Sequence, residues 1–150
     1  MADQDMSLHW LPDVAGHSFA LMPDVPERLD GLIALIDNAR SSIRLLFYIF
    51  VDDEAGTRVR DALIAAHERG VAVSLLVDGF SSAKASDAFF EPLIDTGCGF
   101  CRYEPKRTRR YLMRNHQKMA IADEAKAMIG GFNVKNGYFA ANGSETSVGW

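Results

Sequence analysis

His116 and Lys118 stand two residues apart at the head of a short apolar run, Met119-Ala120-Ile121-Ala122. Asp123, Gly130, Gly131 and Asn133 follow, giving the pattern H-x-K-x4-D-x6-G-G-x-N. Side chains alternate along a strand, so a strand beginning at Lys118 points His116 and Lys118 to one face. An imidazole beside an ammonium suits a phosphate. The ammonium fixes the anion, and the imidazole attacks phosphorus or passes protons. Taken alone, His116 reads as readily as a half-buried strand histidine with a satisfied hydrogen bond. The company of Lys118, Asp123, the two glycines and Asn133 in one register is what favours chemistry.

The surrounding charge is local rather than global. The formal net charge is −4, which does not advertise a nucleic-acid or anionic-membrane binder. Yet Arg102, Lys106, Arg107, Arg109, Arg110 and Arg114 crowd the segment before His116. That segment is either a funnel for a phosphorylated substrate, with Arg114 beside the phosphate, or a solvated basic loop. The two cysteines, Cys98 and Cys101, form a C-x-x-C without a second pair of ligands at zinc spacing. They read as two buried apolar thiols, and no metal or organic cofactor is expected. The acidic start, Met1-Ala2-Asp3-Gln4-Asp5, lacks signal-peptide character. No apolar run approaches the ~20 residues of a spanning helix. A lipid substrate would be met from the side, by a cytoplasmic protein peripheral to the inner membrane.

The elements that must position these residues can be read in order. Residues 1–26 form an N-terminal arm in which Trp10, Leu11, Phe19 and Leu21 pack as a short strand. Leu29, Leu32, Ile33 and Ile36 fall at i, i+3, i+4 and i+7, predicting a helix over 27–41 with Pro26 in its first turn. Residues 43–51 are apolar on both faces and predict a central strand of a covered sheet. Val59, Ala62, Leu63 and Ala66 mark a second helix closed by Gly70, with His67 complementing its dipole. A strand over 71–77 ends at Asp78-Gly79. Ser86 caps a third helix carrying Phe89, Phe90, Leu93 and Ile94, and Gly97 ends it. Residues 98–103 make a weaker strand. Residues 118–122 and 126–129 make a hairpin around Asp123, and Gly130-Gly131 permits close backbone approach at its end. Strands alternating with helices predict an α/β fold, layered α/β/α, with a mixed, largely parallel sheet. Asp52, Asp53 and Asp78 read as strand-end turn residues. They lie at the carboxyl edge where such sheets place ligands. A His116 strand antiparallel to its neighbours would bring His116 to that edge.

The spacing from His116 to Asn133 resembles the HKD motif of the phospholipase D superfamily, matching at His116, Lys118, Asp123, Gly130, Gly131 and Asn133. Upstream, Phe50-Val51-Asp52-Asp53-Glu54-Ala55-Gly56, Arg69-Gly70-Val71, Val77-Asp78-Gly79-Phe80 and Arg114-Asn115-His116 are similar to the N-terminal catalytic half of bacterial cardiolipin synthases. The resemblance covers residues 16–150, of which 27–150 would be the catalytic domain. It implies phosphatidyl transfer or phospholipase D-type hydrolysis through a phosphohistidine on His116. Lys118 and Asn133 would hold the non-bridging oxygens. Asp123 belongs to the motif's catalytic set, but its place at a turn favours a scaffold role. The superfamily builds one site from two such motifs, and this chain carries one. Its partner would be a second copy, as in a homodimeric nuclease, or the missing half of a two-motif enzyme; a half alone would be inactive. The family fold also continues past Trp150 with a strand, a helix and an acidic partner for the histidine. Here Glu145 is the only late carboxylate, so the domain is expected to be incomplete.

Overall fold

Ile43, Leu45 and Phe47 alternate with Ser42, Arg44 and Leu46, and only the first set is fully buried. That period-2 pattern makes β3 the middle of the sheet with one face in the core. A computed structural model describes residues 9–104 and 116–140. Among the described residues two strands, β1 (His9–Val14) and β2 (His17–Leu21), pair only with each other. The body then runs α1 (Val25–Asp37), β3 (Ser42–Phe47), α2 (Glu54–Glu68), β4 (Ala72–Asp78), α3 (Asp87–Asp95), β5 (Gly99–Tyr103), β6 (Met119–Ala122) and β7 (Lys126–Ile129). The five strands of the body order as β5-β4-β3-β6-β7. β3, β4 and β5 are parallel, while β6 is antiparallel to both β3 and β7. The sheet is thus mixed and largely parallel, an α/β fold.

α2 and α3 begin and end where the sequence predicts, whereas α1 stops at Asp37, four residues short of the expected 41, with Asn38 as its C-cap. Pro26 sits in the first turn of α1. Ser86 Oγ accepts the Phe89 amide at 3.2 Å to cap α3. Gly70 and Gly97, both at φ +92°, close α2 and α3 in a conformation that costs other residues a Cβ clash. Asp53 does more than break a strand: its Oδ1 accepts the Gly56 amide and caps α2. Leu32, Ile36, Val59, Leu63, Phe90 and Leu93 project from the three helices onto the sheet and are fully buried.

Four further expectations change. β3 ends at Phe47 rather than running to Val51, because the chain leaves the ladder to pair Phe50 with Val134. The chain moves from β3 to β4 to β5 in one direction, so right-handed crossovers put α2 and α3 on one face of the sheet. Contacts of α1 with α2 put it on that same face. Among the described residues the second helical layer of an α/β/α arrangement is not present. Across the other face runs a row of Cys101, Leu76, Leu46, Met119 and Ile129, in register from β5 to β7. Cys98 is buried but Cys101 is exposed, because the two fall on opposite sides of the chain entering β5. Lastly, the described strands of the arm, β1 and β2, do not bury their large apolar side chains. Trp10 is 65% exposed, and Leu11, Phe19 and Leu21 are exposed with it. The hairpin joins the body through Arg28, which donates to the Met22 and Pro23 carbonyls. Among the described residues no helix is long and apolar enough to cross a membrane.

Candidate active site

Antiparallel pairing of β6 with β3 matches Leu46 to Met119 and Ile43 to Ala122. The start of β6 therefore lies at the carboxyl end of β3, and the β6–β7 turn lies at the opposite end. His116 and Lys118 precede β6 instead of lying in it. They reach the carboxyl edge, the one at which β4 ends in Asp78. What joins them is not strand alternation but Tyr48, the first residue after β3. The His116 imidazole stacks on the Tyr48 ring with centroids 4.0 Å apart and planes 21° from parallel. The Lys118 ammonium lies 5.7 Å from the centre of the same ring and donates to the His116 carbonyl at 2.6 Å. An ammonium has three donors, so that bond leaves two for an anion.

Asn133 reaches this edge from the far end of β7. The backbone of Val134 bonds on both sides to the strand extension, donating to the Ile49 carbonyl and accepting from the Val51 amide, each at 3.1 Å. Asn133 itself is buried, and its Oδ1 accepts the Ile49 amide at 2.9 Å. With the carbonyl end of the side chain so used, its NH2 end is the one able to face a phosphate oxygen. Just beyond, Asp53 Oδ2 accepts the Asn136 amide and Asn136 Oδ1 accepts the Ala55 amide, both at 2.8 Å. These bonds pin the chain after Asn133 to the start of α2.

The glycines differ. A Cβ on Gly130 would lie 2.8 Å from the Phe132 ring, so its close approach is to a neighbour within the motif rather than to a pocket wall. A Cβ on Gly131 would meet no heavy atom within 4 Å. Gly130 also donates to the Lys118 carbonyl at 3.4 Å, tying the end of β7 to the start of β6.

Asp123 is not brought to this cluster. It lies at the β6–β7 turn, at the other edge of the sheet, and its carboxylate is spent on the loop between α1 and β3. Its Oδ1 accepts the amides of Ser41 at 2.7 Å and Ser42 at 3.0 Å and the Ser41 hydroxyl at 2.9 Å, and both oxygens accept the Arg40 amide at 3.0 Å. Those amides, Ser41 first, hold the carboxyl well below the usual carboxylate range. Grouping Asp123 with His116 and Lys118 as a catalytic residue does not match this placement; its contacts are those of a scaffold.

Two contributors escaped the sequence reading. One is Tyr48. The other is Ser82, fully buried, whose Oγ accepts the Phe50 amide at 3.0 Å and donates to the Tyr48 carbonyl at 3.3 Å. An aromatic residue at the carboxyl end of the central strand was the available signal for Tyr48. Asp78, buried beside this loop, accepts the Ser81 amide at 2.8 Å, the contact of a turn residue. Arg102 is no part of a free basic funnel. It donates to the Ser82 and Ala85 carbonyls and to Asp87. Lys106, Arg107, Arg109, Arg110, Arg114 and Glu145 lie outside the described residues.

Residues 32–148 match the family described as cardiolipin synthase, PLD-like domain. The major cardiolipin synthase ClsA of Bacillus subtilis (strain 168) is 33% identical over 130 residues, covering 84% of this chain and 27% of that protein. Cardiolipin synthase B of Shigella flexneri is 31% identical over 136 residues, covering 87% of this chain and 33% of that protein. The chain thus spans about a third or less of these relatives. Among solved structures, Nuc from Salmonella typhimurium, a phospholipase D family member, is similar with a TM-score of 0.62 and 25% identity, over 75% of this chain and 68% of its own. With a family match across most of its length and a fold shared with a phospholipase D family structure, the chain belongs to the phospholipase D superfamily, in the cardiolipin synthase PLD-like domain family.

Proposed function

We propose that this chain supplies one half of a phosphodiester-transfer site that moves a phosphatidyl group onto an alcohol, as a cardiolipin synthase does, through a phosphohistidine on His116. The observation that carries the reading is that His116 and Lys118 gather on Tyr48 while Asn133 bonds the next residue, Ile49, at the carboxyl edge of β3. An imidazole nitrogen attacks phosphorus, a P–N bond forms, and the bond to the departing alcohol oxygen breaks. That oxygen takes its proton from an acid on a second motif-bearing half, contributed by another copy or by the rest of a longer chain. The acceptor alcohol, or water in hydrolysis, then attacks phosphorus, gives up its proton to the same acid-base group, and frees His116. Lys118 and the Asn133 NH2 group hold the non-bridging oxygens as charge develops on them. Gly130 and Gly131 shape the backbone leading to Asn133, and Arg114 extends the phosphate contact. Asp123 acts as scaffold. No metal is needed for this route. The lipid would be met at a membrane surface, peripherally.

The test is covalent trapping. Phosphatidylglycerol labelled with 32P is mixed with the chain in vesicles and quenched. Label is expected on wild type and absent from His116→Ala; equal label on both overturns the nucleophile. The likeness to Nuc gives a second reading, hydrolysis of a nucleic-acid phosphodiester at the same site. An oligonucleotide arm of the same assay separates the two, because the lipid reading predicts label only from the vesicles.

A further inference from the structure

We infer that Tyr48 is the positioning residue of this site: its ring fixes the plane of the His116 imidazole and the spacing between that imidazole and the Lys118 ammonium. The inference rests on the phosphohistidine reading for its functional consequence, but not for its geometry. His116 is exposed and precedes β6, so among the described residues no ladder bond holds its backbone. The stacked contact at 4.0 Å engages the face of the imidazole. Both ring nitrogens lie on the edge of that stack, which leaves them able to reach phosphorus or exchange a proton while the ring plane stays fixed. The Lys118 ammonium, 5.7 Å from the same ring, is drawn to its negative face. One aromatic surface therefore sets the relation between nucleophile and anion holder.

The platform is itself held. Phe47 and Phe50, on either side, are buried in the core, while Tyr48 is half-buried and turned to the edge. Ser82 bonds the Tyr48 carbonyl and the Phe50 amide, and Asn133 takes the Ile49 amide between them. Tyr48 thus stands on a backbone clamped by a residue from the loop after β4 and by the motif's own asparagine. A side chain that merely filled space would need neither a flat face toward the imidazole nor this support. Misplacing a reacting group by about 1 Å can cost on the order of 10²-fold in rate. That is the magnitude at stake in losing the stack.

The experiment uses the full chain labelled with 13C and 15N at its four histidines, with His116→Gln to assign the His116 resonances. Ring order parameters are measured for wild type, Tyr48→Phe, Tyr48→Leu and Tyr48→Met. The wild-type and phenylalanine rings are expected to be ordered. In the leucine and methionine variants the order parameter should drop below about 0.6, with strand and helix amides unchanged. Methionine keeps side-chain bulk and so guards against a leucine variant that fails to fold. In single-turnover trapping the rate should fall about 10²-fold in the aliphatic variants, with half-saturation unchanged, and recover in Tyr48→Phe. An imidazole as ordered in the aliphatic variants as in wild type overturns the inference. So does a phenylalanine variant as impaired as they are, which would assign the role to the hydroxyl. If His116→Ala still takes label, the phosphohistidine reading falls instead, and the order parameters still decide the role of Tyr48.

Discussion

Asn133 divides its amide between two tasks, and the two can be separated by substitution. Its Oδ1 satisfies the part-buried Ile49 amide, and its NH2 group is the proposed phosphate donor. Asn133→Leu strands that amide and should cost about 1–3 kcal/mol of stability, read from urea unfolding. Asn133→Asp keeps an acceptor for Ile49 but removes the donor and brings negative charge toward a phosphate. It should unfold closer to wild type than the leucine variant does. Its affinity for a phosphodiester should weaken by about tenfold or more. Equal affinity in wild type and the aspartate variant would remove Asn133 from the phosphate contact. Asn133 was legible in the sequence as a member of the motif, whereas its bond to Ile49 was not. That bond depends on where the chain leaves β3, and no local pattern encodes it.

At the scale of elements, two short pieces of chain can be tested. The segment after β3 is held by Ser82, whose hydroxyl is fully buried. Ser82→Ala leaves the Phe50 amide without that acceptor and should cost about 1–3 kcal/mol, measured as a lowered urea midpoint at constant m. The β6–β7 turn is the other piece. Asp123 and Glu124 both have positive φ, 54° and 56°, and the Ala125 amide donates to Ala122 at 3.0 Å. That is a type I′ turn, which prefers glycine at its second central residue. Glu124 gains only an exposed ion pair to Arg44 there, worth little. Glu124→Gly should therefore raise stability by about 0.5–1 kcal/mol, read from the same unfolding curves. The hairpin and the helices were legible because their periods and caps are local. The extent of β3 was not. Residues 48–51 have strand character, and only Val134, more than eighty residues later, decides that Phe50 pairs outside the ladder.

For the whole molecule, the α/β class followed from the alternation of elements, but the number of layers did not. Binary pattern gives the burial of a face, not which element covers it. Leu46 and Leu76 look as apolar as Leu45 and Leu75, yet only the latter pair lies under helices. Asp123 ties the β6–β7 turn to the loop between α1 and β3 and should show in the pH dependence of stability. Its carboxyl pKa is lowered on folding from an ordinary value of 3.8. A lowered folded pKa contributes stability that is present above the unfolded value and lost as pH falls through the folded one. Wild type should thus exceed Asp123→Asn by most near neutral pH. The gap should begin to narrow below about pH 4 and close under strong acid. A gap independent of pH from 7 to 2 would show that the charge on Asp123 does not carry the contact.

The same carboxylate has a kinetic meaning. β6 and β7 are joined by a tight turn, and a hairpin of this kind forms in microseconds. Its docking against β3 instead closes a loop of some eighty residues, because Arg40, Ser41 and Ser42 meet Asp123 across that separation. Contacts so distant in sequence are slow to form. The Asp123 clamp is then a timer for the site: His116 and Asn133 can be presented on a formed hairpin before Tyr48 and Ile49 arrive to meet them. Until that closure, His116 has its lysine but not its platform.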